Sequence, residues 1–100
     1  MFTNRMRPIH PGEFLHEDYL VPLDMDANAL ASALHVSADL IEGIVHERRG
    51  ISADIAYRLA RYFNTTPEIW LTLQATYDLK TLPTRDEIDR KVEPREPAQC

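Results

Sequence analysis

Apolar side chains recur at three- and four-residue spacings on both sides of a polar corner within residues 29–50. The first period is Leu30, Ala31 and Leu34, and the second is Leu40, Ile41, Ile44 and Val45. Each period places its apolar side chains on one face of a helix. Between them, Val36 is apolar enough to plug a tight corner, and Ser37 is suited to cap the next helix. Two helices joined so closely must cross, which predicts a helix-turn-helix motif of the kind that enters the major groove of DNA.

Capping residues and prolines set the bounds of the first three predicted helices. The first begins near Pro11 and ends at Pro22, because proline fits a first helical turn but interrupts a continuing one. Asp26 caps the second helix, which runs to Leu34, and the third helix covers residues 38–46. The second and third helices are therefore the two arms of the predicted motif.

Two further helices are predicted after the motif. Ser52 supplies a capping oxygen for the fourth helix, which ends at Asn64. Its inner face consists of Ile55, Leu59, Ala60 and Phe63. The fifth helix begins at Thr66-Pro67-Glu68, which supplies a cap, a proline at the first position and an acid at the second. Its apolar side chains lie on two faces, with Ile69, Trp70, Leu73 and Tyr77 on one and Leu71 on the other.

The chain shows no strand pattern and no internal repeat, so we predict an all-α fold of five helices. Residues 1–8 are expected to form a flexible N-terminal arm, and residues 9–82 the helix-turn-helix and dimerisation domain. The segment from residue 83 to residue 100 is charged and contains prolines, and we expect a flexible, disordered tail in which Asp86–Val92 adds at most a helical turn.

Composition changes this picture mainly through charge. The chain has 100 residues, 44% of them hydrophobic, and a net charge of -5, whereas a DNA-binding protein usually carries a basic surface. Residues 11–26 contain no Lys or Arg, and we call their five acidic residues the acidic flank: Glu13, Glu17, Asp18, Asp24 and Asp26. Residues 27–64 are balanced. The chain therefore suits two partners, a basic protein at the flank and phosphate elsewhere.

Catalytic and metal-binding patterns are not found. His16-Glu17 and His46-Glu47 lack the second histidine of a zinc-protease helix, so we expect no enzyme activity, no metal and no cofactor. The single cysteine, Cys100, has no partner for a disulfide, and no apolar run approaches the length of a membrane span. These features predict a cytoplasmic protein without a membrane anchor.

The candidate DNA-binding residues lie on the third predicted helix and in the loop after it. They are Ser37, Ala38, Asp39, Glu42, Gly43, His46, Arg48 and Arg49. Ser37 and the free amides beside it would anchor a phosphate, and Arg48 and Arg49 would contact the backbone flanking the groove. Asp39 and Glu42 would accept from the N4 amino group of cytosine. In the alternative interpretation these charges are solvated surface residues.

The two apolar faces of the fifth helix exceed what one small domain covers, which predicts a homodimer. We expect Leu71 near the interface, together with Trp70, Gln74 and Tyr77. A two-fold symmetric dimer that binds DNA also needs a fixed spacing of about 34 Å between its recognition helices.

Three segments together resemble the HigA/VapI-type antitoxins, a branch of the Xre-like helix-turn-helix proteins. They are Ile9–Glu13 (Ile-His-Pro-Gly-Glu), Ser52–Phe63, and Thr66–Leu79 with its Trp-Leu-x-Leu-Gln-x-x-Tyr-Asp-Leu string. The resemblance spans residues 9–79. This chain departs from the family at Glu47, where members place a glycine.

The resemblance implies a lambda-repressor-like fold of five helices and a homodimer that binds double-stranded operator DNA to repress its own operon. It also implies neutralisation of a HigB-type toxin, a small basic enzyme that cleaves mRNA on the ribosome. The alternatives are a solitary helix-turn-helix regulator, a toxin-binding protein that has lost DNA binding, and a metalloenzyme. A short basic reading frame beside this gene would favour the antitoxin, and its absence the solitary regulator.

Overall fold

The computed structural model describes residues 7–95, and all regular structure in that range is helical. The segments are α1 (Pro11–Leu15), a π-helical turn (His16–Leu20), α2 (Val21–Leu23), α3 (Ala27–Leu34), α4 (Ala38–Val45), α5 (Ala53–Phe63), α6 (Pro67–Lys80) and α7 (Arg85–Lys91). The all-α prediction is confirmed, and α3 to α6 are the second to fifth predicted helices. Most of the predicted N-terminal arm, residues 1–6, lies outside the described residues, as do residues 96–100 with Cys100.

Three predicted capping side chains bond to the helices they precede. Asp26 Oδ1 accepts from the Ala29 N–H at 2.8 Å, which begins α3. Ser37 Oγ accepts from the Leu40 N–H at 3.2 Å, and Ser52 Oγ accepts from the Ile55 N–H at 3.3 Å. Because a capping bond satisfies a donor that the helix itself leaves free, these residues define where α3, α4 and α5 start.

The predicted end of the first helix at Pro22 is wrong. The π-helical turn widens the hydrogen-bond ladder, so that the Val21 N–H reaches back to the carbonyl oxygen of His16. Pro22 then occupies the first turn of α2, where a missing N–H breaks no bond. The helical stretch ends instead at Asp24, whose φ of 55° lies in the left-handed region.

The core is a single cluster of apolar side chains to which α1, the π-helical turn and α3 to α6 contribute. Its largest fully buried side chains are Trp70, Leu15, Leu30, Ile41, Ile44 and Leu59. Trp70 donates its Nε1–H to Thr65 Oγ1 at 3.0 Å, so the indole is buried without an unpaired polar atom. The rings of Phe14 and Tyr19 contact it with centroid distances of 5.4 and 5.3 Å. The α6 helix is thereby attached to the N-terminal helical stretch.

The α1 helix approaches α4 at Gly12, where backbone meets backbone. A Cβ atom built on Gly12 would lie 1.8 Å from the carbonyl oxygen of Ile44. Any side chain at this position would therefore separate the two helices. The absence of a side chain at Gly12 sets the distance between α1 and α4.

His10 caps α1 from a buried position. Its Nδ1 accepts from the Gly12 N–H at 2.8 Å, and only 4% of the residue is exposed. The imidazole ring also packs edge-on against Tyr77 of α6, with centroids 4.8 Å apart. Burial lowers the pKa of His10 from its ordinary 6.5, although the carboxylates of Glu47 and Asp78 act in the opposite direction. The neutral ring is the form that accepts the Gly12 bond.

The predicted tail contains a helix, which corrects the expectation of disorder from residue 83. Asp86 and Glu87 lie in the first turn of α7, and Arg90 and Lys91 in its last turn, an arrangement that complements the helix dipole. Lys91 Nζ donates to Glu87 Oε2 at 2.9 Å. The helix buries none of its residues, so it projects from the core. No helix within residues 7–95 is long and apolar enough to cross a membrane.

We expect His10 to make the stability of the fold depend on pH. The folded state disfavours the charged ring, whereas the unfolded chain takes up a proton near pH 6.5. The stabilisation is therefore complete above that pH and is lost as the pH falls below it, at a rate of at most about 1.4 kcal/mol per pH unit. Thermal unfolding of wild type and His10→Asn across this range measures the effect, because asparagine keeps a capping acceptor but does not titrate.

A matched substitution at a more exposed histidine, His16→Gln, is expected to keep the wild-type dependence on pH. Equal losses of stability in wild type and His10→Asn would show that the buried imidazole is not responsible.

Candidate nucleic-acid interface

A tight corner joins α3 to α4, as the sequence predicts. His35 takes a left-handed conformation with a φ of 60° and ends α3. The Val36 N–H returns to the carbonyl oxygen of Ala31 at 3.0 Å, and the Val36 side chain packs against the core. Ser37 then caps α4. The backbone bonds of the corner thus hold the N-terminus of α4 next to the C-terminus of α3. This is the arrangement of a helix-turn-helix.

Arg58 fixes this corner from the next helix, a contact that the sequence analysis missed. Its Nη1–H donates to the carbonyl oxygen of Leu34 at 2.7 Å, and its Nε–H pairs with Asp54 one turn earlier on α5. The guanidinium therefore satisfies a carbonyl at the end of α3 that the helix leaves free. Arg58 is not among the residues of the predicted inner face of its helix, and nothing in its local spacing indicates a partner 24 residues away.

The exposed face of α4, which we call the reading face, contains Asp39, Glu42, Gly43 and His46. Asp39 and His46 are exposed and Glu42 is half-buried, as are Ala38 and the apolar Leu40 and Val45. His46 leans back on its own helix, with Nδ1 2.9 Å from the carbonyl oxygen of Glu42 and 3.4 Å from its carboxylate. Two acidic side chains therefore lie on this face.

Gly43, one of the candidate DNA-binding residues, is not exposed. The residue is buried because the aliphatic part of Arg49 lies across it: a Cβ on Gly43 would be 2.6 Å from Arg49 Cδ and 3.0 Å from Cγ. Spacing within α4 placed Gly43 on the correct side of the helix. It could not show that a side chain from the following loop covers that position.

The loop of residues 47–50, which we call the arginine loop, folds back onto α4. The Arg48 and Arg49 N–H groups both donate to the carbonyl oxygen of Gly43, at 2.8 and 3.3 Å. Glu47 turns the chain with a φ of 63°, a left-handed conformation in which glycine carries no steric penalty. Both arginines are exposed. The loop thus presents two cations beside the reading face in a fixed backbone conformation.

Gln74 of α6 holds the far end of the arginine loop. Its Oε1 accepts from the Ile51 N–H at 2.7 Å, and its Nε2–H donates to Asp78 Oδ1 at 2.9 Å. A Cβ on Gly50 would lie 2.8 Å from the same Gln74 oxygen. Gln74 was predicted at a dimer interface, but its amide is used within the protomer.

Two of the other three dimer candidates also have partners inside the chain. Trp70 is wholly buried in the core and is not on the surface, and Tyr77 is half-buried against His10. Leu71 differs, since 37% of it is exposed. Within residues 7–95 there is no group of three or more His, Cys, Asp or Glu side chains arranged to hold a metal ion.

The chain resembles a known protein over most of its length. It is 56% identical over 77 residues to virulence-associated protein I of Dichelobacter nodosus, a match that covers 77% of this chain and 71% of that protein. No protein-family model matches the chain.

Two solved structures share both fold and sequence with it. Antitoxin HigA of Pseudomonas aeruginosa, solved with the higBA promoter, superposes with a TM-score of 0.86 at 47% identity, covering 90% of this chain and 100% of that one. Antitoxin GraA in complex with its operator gives a TM-score of 0.85 at 44% identity, covering 96% of this chain and 99% of that one.

Proposed function

This chain belongs to the HigA family of helix-turn-helix antitoxins, and from that premise we propose that it binds an operator, represses its own operon and neutralises a HigB-type toxin. The observation that carries the proposal is the arginine loop, whose backbone is bonded to the helix that would enter the groove. The similar antitoxins HigA and GraA were solved with promoter or operator DNA.

The N-terminus of α4 and the arginine loop suit contacts with phosphates. Ser37 satisfies the Leu40 N–H, which leaves other amides of the first turn directed along the helix axis. Such amides and the positive end of the helix dipole favour an anion. Arg48 is exposed at the other end of α4. One phosphate contact at each end of α4 would fix its register in the major groove.

The acidic flank supports a basic protein partner. Glu17 and Asp18 are exposed on the π-helical turn, whereas Glu13 beside them is half-buried and paired with Arg7 at 2.9 Å. A shallow pocket of about 270 Å³ separates this surface from the end of α4, where Glu47 adds a further carboxylate. Surfaces of one sign attract a partner of the opposite sign and exclude partners of the same sign. A small basic toxin fits this charge distribution.

An apolar stripe along the exposed side of α6 supports a homodimer. It consists of Leu71, Ala75 and Leu79, at spacings of four residues, and Leu82 follows shortly after α6 ends. Leu79 is 66% exposed and Leu82 is 39% exposed. Apolar residues aligned on one face in this way are typical of an interface. We propose that two copies pack along this stripe, with Leu71 as the one predicted interface residue that contributes to it.

DNA binding is tested with duplexes tiled across the region upstream of this gene, measured by fluorescence anisotropy against scrambled duplexes at several salt concentrations. We expect one duplex to bind at least about 1000-fold more tightly than the scrambled ones. Arg48→Ala should weaken binding to all duplexes alike and reduce the slope of log K against log salt by about 0.9. Arg90→Ala removes the same charge from α7 and should leave the slope unchanged. Equal binding to all duplexes would refute the operator proposal.

Toxin binding is tested by co-expression with the product of a short basic reading frame beside this gene. We expect a complex that survives purification, and the double substitution of Glu17→Lys with Asp18→Lys should weaken it by about tenfold or more, because like charges would then face each other. The double substitution of Asp89→Lys with Glu93→Lys makes the same change in charge at two exposed residues near the C-terminus and serves as the control. A neighbouring gene without such a product argues for the solitary regulator, whereas a complex indifferent to the flank would place the toxin on another surface.

Dimerisation is tested by sedimentation at a concentration of about 10–50 μM, a range in which weak association is visible. Wild type should sediment as a dimer and Leu79→Asp as a monomer, because the new carboxylate would be buried unpaired between the two stripes. The control, Val21→Asp, places the same charge on α2 at a side chain that is also exposed. A monomeric wild type would contradict the proposal.

A further inference from the structure

We propose that Arg49 is the base-contacting residue of the reading face, and that Gly43 is the seat that positions it. This inference rests on the proposed DNA-binding function and names the residue that would give it specificity. It replaces the expectation that Asp39 and Glu42 discriminate bases and that Arg49 contacts only phosphate.

The position of the Arg49 side chain is the first observation. Gly43 lies one turn after Asp39 and one turn before His46, so it is beside both residues on the outward-facing side of α4. It is nevertheless buried, because Arg49 Cγ and Cδ rest on its Cα. Arg49 Nε lies 3.9 Å from the point where a Cβ would stand. The Arg49 side chain is therefore held against α4 and is not directed away from it.

A backbone hydrogen bond also holds Arg49 in place. Gly43 offers its carbonyl oxygen to the Arg49 N–H, and it also accepts from the Arg48 N–H. Main chain and side chain of Arg49 thus both rest on one residue. A side chain held in this way loses less conformational freedom when it binds than a free arginine does. Arg48 has the backbone bond but no glycine beneath its side chain, so Arg48 serves as an internal comparison for Arg49.

The charges around the reading face favour Arg49 as the reader. The carboxylates of Asp39 and Glu42 would repel phosphates on either side of the groove. A guanidinium held on the same helix would offset that charge. Within residues 7–95 Arg49 makes no ion pair, so its donors remain available. A guanidinium donates two parallel hydrogen bonds to O6 and N7 of guanine in the major groove.

The experiment uses the upstream duplex that wild type prefers and a set of single base-pair replacements across it, measured by anisotropy at fixed salt. Wild type is expected to lose about 10-fold or more in affinity when the contacted G·C pair is replaced. Arg49→Ala should bind the original and that replaced duplex equally. Arg48→Ala should weaken binding to every duplex by one common factor and keep the wild-type preference. Arg49→Lys, which keeps the charge but not the fork, should also lose the preference.

Gly43→Ala tests the seat, because its methyl group would displace the Arg49 stem. We expect it to lose the same base preference as Arg49→Ala, and the double variant to be no worse than either single one. Circular dichroism and the unfolding midpoint establish that the variant is folded. If it is not, Arg49→Ala and Arg49→Lys still test Arg49 as the base-contacting residue.

Three results would overturn the inference. Arg49→Ala could weaken all duplexes by one factor, which would make it a phosphate contact like Arg48. Asp39→Asn or Glu42→Gln could remove the preference while Arg49→Ala keeps it, which would return base reading to the carboxylates. Gly43→Ala could keep the full base preference, which would show that Gly43 does not position Arg49. A wild type that binds operator and scrambled duplexes equally would instead refute the DNA-binding function itself.

Discussion

The contact between the backbones of α1 and α4 is the constraint on which the rest of the interface depends. Gly12 lies against the carbonyl oxygen of Ile44 with no space for a side chain, so the distance between the two helices is set by main-chain atoms. His10 caps α1 at the same point and packs on Tyr77 of α6. The helix that would enter the groove is therefore supported from behind by α1, which is tied in turn to α6. Because close-packed interiors transmit displacement, a shift of α1 would move α4 with it.

The sequence predicted those parts of the structure that are decided within a few residues. Asp26, Ser37 and Ser52 each bond to an amide three residues ahead, and such bonds can be read from local order. Thr66 shows the limit of this reasoning. The helix does begin at Pro67, but the Thr66 side chain makes no capping bond, and it is Thr65 that bonds to the buried indole. Residue type located the start of the helix but not the atoms that fix it.

Contacts between residues far apart in the chain account for what the sequence could not predict. Gln74 accepts from Ile51 across 23 positions, and no periodicity within α6 indicates that its amide is occupied. The same holds for Gly43, whose burial depends on a side chain from the next loop. The sequence failed to predict the α7 helix for a different reason. It buries no residue, so apolar periodicity carries no signal there, and complementary charges at its two ends define it instead.

The net charge of -5 shapes how such a protein would have to recognise DNA. A basic protein gains affinity for any duplex by releasing counterions, but a chain whose acids outnumber its bases gains little in this way. Preference for one DNA sequence must then come from a few contacts whose side chains lose little conformational entropy on binding. A backbone-bonded loop and an arginine resting on a glycine meet that requirement, since most of their conformational freedom is lost when the chain folds. The acidic surface elsewhere would lower binding to unrelated DNA and would leave a separate face free for a basic protein.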